Sequence, residues 1–154
     1  MKTAKKDNEM SAVPVADSSS RDRGGCVMAT LALGSNMEPK LSRVLSAISW
    51  LSEVCEVECA TRPYETPPLG GGTRSYCNAV VRVRYAGGLA TLERLVKEYE
   101  TDMGRDEKCR SLGLVPVDID IVMADGEILR QRDYDAFYFR KGMRQLEDII
   151  YETV

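Results

Sequence analysis

Apolar residues along the first part of the chain predict a strand followed by a helix. VMATLAL (27–33) is an apolar run with the length of a buried strand, and Gly34-Ser35-Asn36 ends it. The next apolar residues recur at helical spacing: Leu41, Val44, Leu45, Ile48 and Leu51. They predict an amphipathic helix over residues 39–52, with Pro39 in its first turn.

The middle of the chain repeats this order of elements. Residues 54–62 alternate between apolar and polar side chains, as do residues 76–85, and each stretch predicts a half-buried strand. Residues 62–75 between them are rich in proline and glycine and are predicted to form a loop. A second set of apolar residues at helical spacing follows: Leu89, Leu92, Leu95, Val96, Tyr99 and Met103. This helix is predicted to end near Gly104.

The last third of the chain predicts a loop, a hairpin and a helix. Residues 105–116 are rich in charge and are predicted to form a loop, and VDIDIVMA (117–124) is predicted to be the fourth strand. Asp125-Gly126 suits a tight turn into a short extra strand, EIL (127–129). Near the end, a short helix is predicted from three apolar residues at helical spacing: Leu146, Ile149 and Ile150.

The resulting element order is β-α-β-β-α-β, followed by a hairpin strand and a C-terminal helix. It predicts an α+β fold of the ferredoxin-like type, in which an antiparallel sheet carries two helices on one face. Residues 1–25 are polar, with few bulky apolar groups, and are expected to be disordered. Residues 26–154 are expected to form a single domain. This fold hosts many functions, so it does not by itself indicate an activity.

Charge and hydropathy exclude several classes of partner. The net charge is −3, so no broad basic surface favours nucleic acid. No apolar run reaches the roughly 18 residues of a membrane span. The polar N-terminus also lacks the apolar core of a signal peptide. We therefore expect a cytoplasmic location, with neither nucleic acid nor a membrane as partner.

The chain has five cysteines and no histidine, which limits its chemistry. An odd cysteine count without paired spacing argues against a disulfide framework. The lack of both histidine and a second cysteine pair argues against a structural zinc site. The lack of histidine excludes a Ser-His-Asp triad and a Cys-His pair. Any reaction must therefore use carboxylates, lysine, arginine, tyrosine, cysteine or metal.

Two aspartates on the fourth predicted strand give the sharpest chemical signal. Asp118 and Asp120 are two residues apart, so their side chains point to the same face of the strand. Two adjacent carboxylates repel each other unless a cation lies between them, and hard oxygen ligands suit Mg²⁺. The alternative interpretation is that they pair with Arg82 or Arg84 on a neighbouring strand.

The predicted loop over 62–75 gives a second signal. Pro67-Pro68 stiffens its start and Gly70-Gly71-Gly72 loosens the part that follows, which suits a loop that closes over a ligand. A variable surface connection is the alternative interpretation. Tyr76 and Asn78 share a face of the next strand. The tyrosine ring could stack on a flat heterocycle while the amide hydrogen-bonds to it; the alternative interpretation is that both residues have a structural role.

Together these segments resemble the 6-hydroxymethyl-7,8-dihydropterin pyrophosphokinase family. Five short motifs carry the resemblance, in the family's order and near its spacing: LALGSN (31–36), YETPPLG (64–70), YCNAVV (76–81), YE-x-x-x-GR (99–105) and VDIDIV (117–122). Each motif alone is weak, whereas the ordered set is specific.

The resemblance implies a ferredoxin-like core that transfers a pyrophosphoryl group from ATP to a pterin hydroxymethyl group. It implies that Asp118 and Asp120 hold two Mg²⁺ ions with ATP, with Arg105 in a catalytic role. A nucleotide site is implied for Glu100, and Ile121 is a further candidate for it. Arg110, in the charged loop, is a candidate for nucleotide binding through phosphate contact, and the alternative is that it belongs to a solvated loop. A pterin site is implied for five further residues: Thr66, Pro67, Leu69, Tyr76 and Asn78. The implied partners are ATP and a pterin, and a monomer is expected.

Some positions depart from the family's usual pattern on the triphosphate side. A usual tryptophan and a usual Pro-Arg pair are replaced by apolar residues: Leu112, Leu114 and Val115. The usual Pro-His and later arginine are also absent. An ungapped alignment places Tyr138 at the histidine position and Arg144 at the arginine position. An alignment with a one-residue gap places Asp133 and Lys141 there instead.

These departures leave more than one hypothesis. In the first, the chain is a Mg²⁺-dependent pyrophosphokinase of folate biosynthesis, and basic residues at other positions replace the missing ones: Lys108, Arg110, Arg140, Lys141 or Arg144. In the second, it is a non-catalytic or altered-substrate pterin-binding relative that has lost the usual ATP-binding arginines. A purely structural or protein-binding module is the third hypothesis.

Overall fold

The computed structural model describes residues 25–152, which form an α+β fold. The elements in this range are β1 (Val27–Ser35), α1 (Lys40–Val54), β2 (Glu56–Ala60), β3 (Tyr64–Thr66), β4 (Tyr76–Tyr85), α2 (Leu89–Asp102), α3 (Glu107–Ser111), β5 (Asp118–Ala124), β6 (Glu127–Ile128), α4 (Gln131–Asp135) and α5 (Phe137–Glu152). The segment predicted to be disordered, residues 1–25, lies outside the described residues except for its last position.

The strands form one antiparallel sheet in the order β2-β4-β1-β5-β6, and β3 pairs with the first residues of β4. This order confirms the predicted ferredoxin-like arrangement, with the first strand at the centre. Across the sheet, Gly34 of β1 lies opposite Asn78 of β4 on one side and Asp118 of β5 on the other. β6 pairs only with Met123 and Ala124, so within residues 25–152 no strand covers the outer edge of the first residues of β5.

Alternation along the strands sends apolar side chains to both faces of the sheet. Odd-numbered residues of β1, such as Leu31, are fully buried in a large core against α1 and α2. The even-numbered Ala32 and Val80 face the other way and pack with Phe139 and Leu146 of α5. The two predicted helices therefore share one face, as expected, and α5 covers the opposite face.

The C-terminal helix corrects a prediction, because α5 spans 16 residues rather than one short segment. Its buried positions are Phe139, Gly142 and Leu146, which lie on one side of the helix. A Cβ atom built on Gly142 would collide with the Val80 side chain and the Tyr64 hydroxyl oxygen. Because Gly142 has no side chain, α5 can approach β4 closely. The same glycine interrupts the apolar pattern from which the length of the helix could be predicted.

Three short elements were also not predicted. β3 lies inside the predicted 62–75 loop, and α3 lies inside the predicted 105–116 loop. α3 begins where the Asp106 side chain accepts a hydrogen bond of 2.8 Å from the Cys109 backbone N–H. α4 follows the hairpin strand. Each element has five residues or fewer, which is too short for a periodic signal in the sequence.

Two expectations about the chain as a whole can be compared with these residues. The five cysteines all lie within the described range, and each is free in this structure. Among the helices of residues 25–152, none combines the length and the apolar character needed to cross a bilayer.

Candidate functional site

Two clefts meet at the aspartates of β5. The first, which we call the aromatic cleft, lies over the sheet face that α5 covers, and four aromatic side chains line it: Tyr64, Tyr76, Tyr138 and Phe139. The second, which we call the charged cleft, runs along the outer edge of β5 between α2 and α4. Asp118 and Asp120 line both clefts, so they lie at the junction.

The aromatic cleft contains three of the five predicted pterin-site residues: Leu69, Tyr76 and Asn78. Thr66 is buried, and its hydroxyl oxygen accepts a hydrogen bond of 2.6 Å from the Asn78 side-chain amide. Thr66 therefore fixes the orientation of that amide rather than lining the cleft. Pro67 is exposed and lines neither of the two clefts.

Gly34 provides space between the polar groups of the aromatic cleft. A Cβ atom on this residue would stand 3.0 Å from the Asn78 Oδ1 atom and 3.7 Å from the Tyr76 ring. A larger residue would therefore push against the amide that a flat ligand would meet. The motif LALGSN thus forms part of strand β1 and, because Gly34 has no side chain, also leaves space in the aromatic cleft beside Asn78 and Tyr76.

The same motif also fixes the segment that leads into β5. The Asn36 side-chain amide donates a 2.9 Å hydrogen bond to the Gly113 carbonyl, and its oxygen accepts one of 2.6 Å from the Val115 N–H. The Ser35 hydroxyl donates to the Val115 carbonyl oxygen at 3.2 Å. These bonds hold the chain in place just before Asp118.

The charged cleft brings together the predicted nucleotide-site residues. Besides the two aspartates, its lining includes three predicted nucleotide-binding residues and one predicted catalytic residue. They are Glu100, Arg110 and Ile121, and Arg105, respectively. Lys108, Arg140, Lys141 and Arg144, which were candidate replacements for the missing arginines, line neither cleft.

Arg105 links the end of α2 to β5. Its Nη1 atom lies 2.5 Å from an Asp118 carboxylate oxygen and 3.4 Å from Oε2 of Glu100. The same Glu100 oxygen accepts a 2.7 Å hydrogen bond from the Ile119 N–H, and burial raises the pKa of this carboxyl group. Glu100 therefore holds both the β5 backbone and the Arg105 guanidinium in position.

The alternative pairing of the aspartates with Arg82 or Arg84 is wrong. Arg84 instead forms an ion pair of 2.7 Å with Glu58 of the neighbouring strand. In the described part of the chain, the cations beside Asp118 and Asp120 are Arg105 and Arg130.

The two aspartates are close enough to interact directly. Burial of Asp120, then the negative charge of Asp118, raise the pKa of Asp120 to about 8. Two charged carboxylates are therefore unfavourable at this position without a compensating cation. A divalent cation bound here would replace the proton of Asp120.

This donor set fits Mg²⁺ rather than a metal in a complete protein cage. Within residues 25–152, no group of three or more His, Cys, Asp and Glu side chains is arranged to hold a metal ion. Mg²⁺ commonly takes one or two carboxylates and completes its coordination with water and substrate phosphates. Asp118 and Asp120 would hold it at the junction of the two clefts.

A second charged network lies on the other side of Asp120. The Arg130 Nε atom donates to Oδ2 of Asp133 at 2.5 Å, and the Tyr138 hydroxyl donates to Oδ1 of the same carboxylate at 2.5 Å. Burial opposes ionisation of Asp133, but these two hydrogen bonds, together with the charges of Arg130 and Arg132, outweigh it and lower the pKa of this carboxyl group. The Arg130 Nη2 atom lies 3.6 Å from Oδ1 of Asp120.

Comparison with known proteins agrees with this architecture. The sequence model of the 7,8-dihydro-6-hydroxymethylpterin-pyrophosphokinase family matches residues 30–146, which extend from β1 into α5. The chain belongs to this family. It is also 32% identical over 103 residues to the 2-amino-4-hydroxy-6-hydroxymethyldihydropteridine pyrophosphokinase of Aquifex aeolicus (strain VF5). That alignment covers 66% of this chain and 64% of the relative, which is less than two thirds of the relative's length.

In this member of the pyrophosphokinase family, sequence reasoning missed Arg130 as a residue of the site. Its only sequence signal is the three-residue spacing to Asp133, which is common on helical surfaces. The two alignments described above place either Asp133 or Tyr138 at the position of the family's usual histidine. Since their side chains are hydrogen-bonded to each other, both residues lie in the same part of the site.

Proposed function

We propose that this chain transfers the pyrophosphoryl group of ATP to 6-hydroxymethyl-7,8-dihydropterin, in folate biosynthesis, with Mg²⁺ held by Asp118 and Asp120. One observation carries the proposal: the two aspartates lie where an aromatic cleft meets a charged cleft. A flat ring in one cleft and a triphosphate in the other would bring their reacting groups together at these carboxylates.

The aromatic cleft suits the pterin. A Tyr76 ring offers a stacking surface, and the Asn78 amide, oriented by Thr66, offers hydrogen bonds to ring nitrogens or oxygens. Leu69 supplies apolar contact from the loop that follows β3. A role for Pro67 would depend on a change in that loop when a ligand binds.

The charged cleft suits a nucleotide only with help from metal. Five carboxylates and four cations line it, so the cleft does not by itself favour a polyanion: Glu93, Glu100, Asp118, Asp120 and Asp133, with Lys97, Arg105, Arg110 and Arg130. Mg²⁺ held by Asp118 and Asp120 would supply positive charge that neutralises the phosphates and the negative charge developing on the bridging oxygen. Arg105 and Arg110 contribute positive charge from the α2 side, and Ile121 supplies apolar surface.

The reaction needs little covalent help from the protein. The hydroxymethyl oxygen forms a bond to the β-phosphorus of ATP as the bond from that phosphorus to the α,β-bridging oxygen breaks, so that AMP leaves and the hydroxyl proton is released to solvent. The chain's own residues hold the two substrates in line and exclude water, which is the main contribution of proteins to phosphoryl-type transfer. A chain without histidine can therefore perform it.

A pterin-binding relative without turnover is the second candidate. It is favoured by the apolar residues that replace the usual basic and aromatic ones before β5, of which Leu112 is largely exposed. It is also favoured by the ion pairs of Arg105 and Arg130 with the two aspartates, which a metal would have to displace or share.

An assay of AMP release separates the two candidates. The purified chain with ATP and Mg²⁺ should release AMP only when 6-hydroxymethyl-7,8-dihydropterin is present. In calorimetry, it should bind α,β-methylene-ATP with Mg²⁺ and then bind the pterin more tightly. Heat with the pterin and none with the nucleotide supports the second candidate. Heat with neither ligand contradicts both.

Mg²⁺ binding should depend on pH because of Asp120. This carboxyl group, with its pKa raised to about 8, keeps its proton below that pH and must lose it to bind metal. The dissociation constant should therefore rise about tenfold for each pH unit below the pKa. Calorimetry with Mg²⁺ at several pH values, in buffers of different ionisation enthalpy, should also detect one released proton. An affinity that stays constant from acidic to alkaline pH contradicts this prediction.

A further inference from the structure

Arg130 lines the charged cleft, and backbone hydrogen bonds hold it against β5. Its backbone N–H donates to the Val122 carbonyl at 3.3 Å, and that of Leu129 donates to the same oxygen at 2.8 Å. The residue therefore sits directly beside the outer edge of β5, just before α4. A side chain on this backbone reaches the aspartates without any loop movement.

The guanidinium group is also held from the side. Nε donates to Asp133, whose second oxygen accepts from Tyr138, so the carboxylate is fixed by two partners. The Asp133 side chain is only 12% exposed, whereas the Arg130 side chain is 51% exposed. The buried carboxylate thus anchors a cation whose other end faces the cleft.

Most hydrogen-bonding groups of Arg130 are not used by this network. A guanidinium group carries five N–H donors, and among the described residues only its Nε–H makes a hydrogen bond. The Nη2 atom stands 3.6 Å from Asp120, which is close enough for charge attraction but too far for a hydrogen bond. The remaining donors face a cleft that a triphosphate would fill.

We propose that Arg130 binds a phosphate oxygen of ATP, and that Asp133 and Tyr138 are positioning residues that aim its guanidinium group. This inference rests on the function proposed above. Arg130 approaches the aspartates from the α4 side, opposite to Arg105, so the two arginines flank the metal ligands. In the segment before β5, Leu114 and Val115 replace the family's usual Pro-Arg pair, so a cation is missing there. Arg130 supplies a cation from the hairpin side instead.

The test is the affinity for Mg²⁺ with α,β-methylene-ATP, measured by calorimetry. Arg130→Gln should raise the dissociation constant about 10- to 100-fold, as expected for loss of a hydrogen bond between charged groups. Arg140→Gln is the matched control, because Arg140 is similarly exposed and pairs with Asp135 of α4 but lines neither cleft. The control should bind the nucleotide analogue within about twofold of wild type.

The positioning role is tested by coupling between variants. Asp133→Asn should weaken nucleotide binding, but it should add nothing in an Arg130→Gln background if Asp133 acts through Arg130. Tyr138→Phe removes only the hydroxyl group and provides a second variant if Asp133→Asn unfolds. Equal losses in both backgrounds would show that Asp133 and Tyr138 act independently of Arg130.

The outcomes distinguish this inference from the proposed function. If wild type does not bind the nucleotide analogue, both are overturned. If wild type binds it and Arg130→Gln binds equally well, only the inference is overturned. If Arg130→Gln binds more tightly, Arg130 obstructs the site through Asp120, and the inference is likewise overturned.

Discussion

Asp118→Asn should lower the rate of AMP formation by about three orders of magnitude. Metal-ion stabilisation of developing charge contributes several kcal/mol to reactions of this type, and each 1.36 kcal/mol is about a factor of ten. Asparagine keeps the shape of the side chain but removes the charge that attracts the ion. The measurement is steady-state AMP release at saturating ATP, Mg²⁺ and pterin.

The fold of this variant should be intact, which thermal unfolding can check. Asp118 is only half-buried, and Arg105 keeps its contact with Glu100 when the Asp118 charge is lost. Asp148→Asn is a suitable control, because it makes the same chemical change at an exposed position of α5. Normal turnover in Asp118→Asn would show that this carboxylate does not hold the metal.

Gly142→Ala should destabilise the protein by about 2 kcal/mol, within the usual range for overpacking of a core. Alanine in place of glycine normally stabilises a helix by roughly 1 kcal/mol, so the expected sign is opposite to that of helix propensity. The reason is that the new methyl group would collide with Val80, which is fully buried, and with the Tyr64 hydroxyl group. Chemical denaturation with urea gives the free energy of unfolding.

A second substitution can show that the collision is the cause. Val80→Ala alone should destabilise by leaving a cavity, but combined with Gly142→Ala it should cost less than the sum of the two. Arg144→Ala, on an exposed part of α5, serves as the control for a new alanine in this helix and should be nearly neutral. Additive losses in the double variant would contradict close packing of α5 on β4.

The long central strands and the aspartate pair could be predicted because their signals are local. β4 was predicted with its observed limits from alternation alone, and the shared face of Asp118 and Asp120 follows from strand geometry. Glu100 and Arg105 carry no such signal, and only their positions within a family motif indicated the cleft that they line.

The remaining features depend on contacts between distant parts of the chain. β3 is a strand because Tyr64 pairs with Asn78, and its own three residues do not show it. The length of α5 is hidden by Gly142, which is buried because it lacks a side chain. Arg130 belongs to the site because the hairpin brings it to β5, and no pattern in the sequence specifies that placement.

The short reach of β6 has a consequence for the behaviour of the protein in solution. An uncovered strand edge is a surface on which a second polypeptide can align and start to aggregate. Under the proposed function, this edge has to stay open for substrates. The two carboxylates of β5, with arginines on either side, disfavour the pairing of another strand there, because these charges would lose their hydration. We therefore expect that replacing both aspartates with apolar residues would promote aggregation as well as abolish the proposed metal binding.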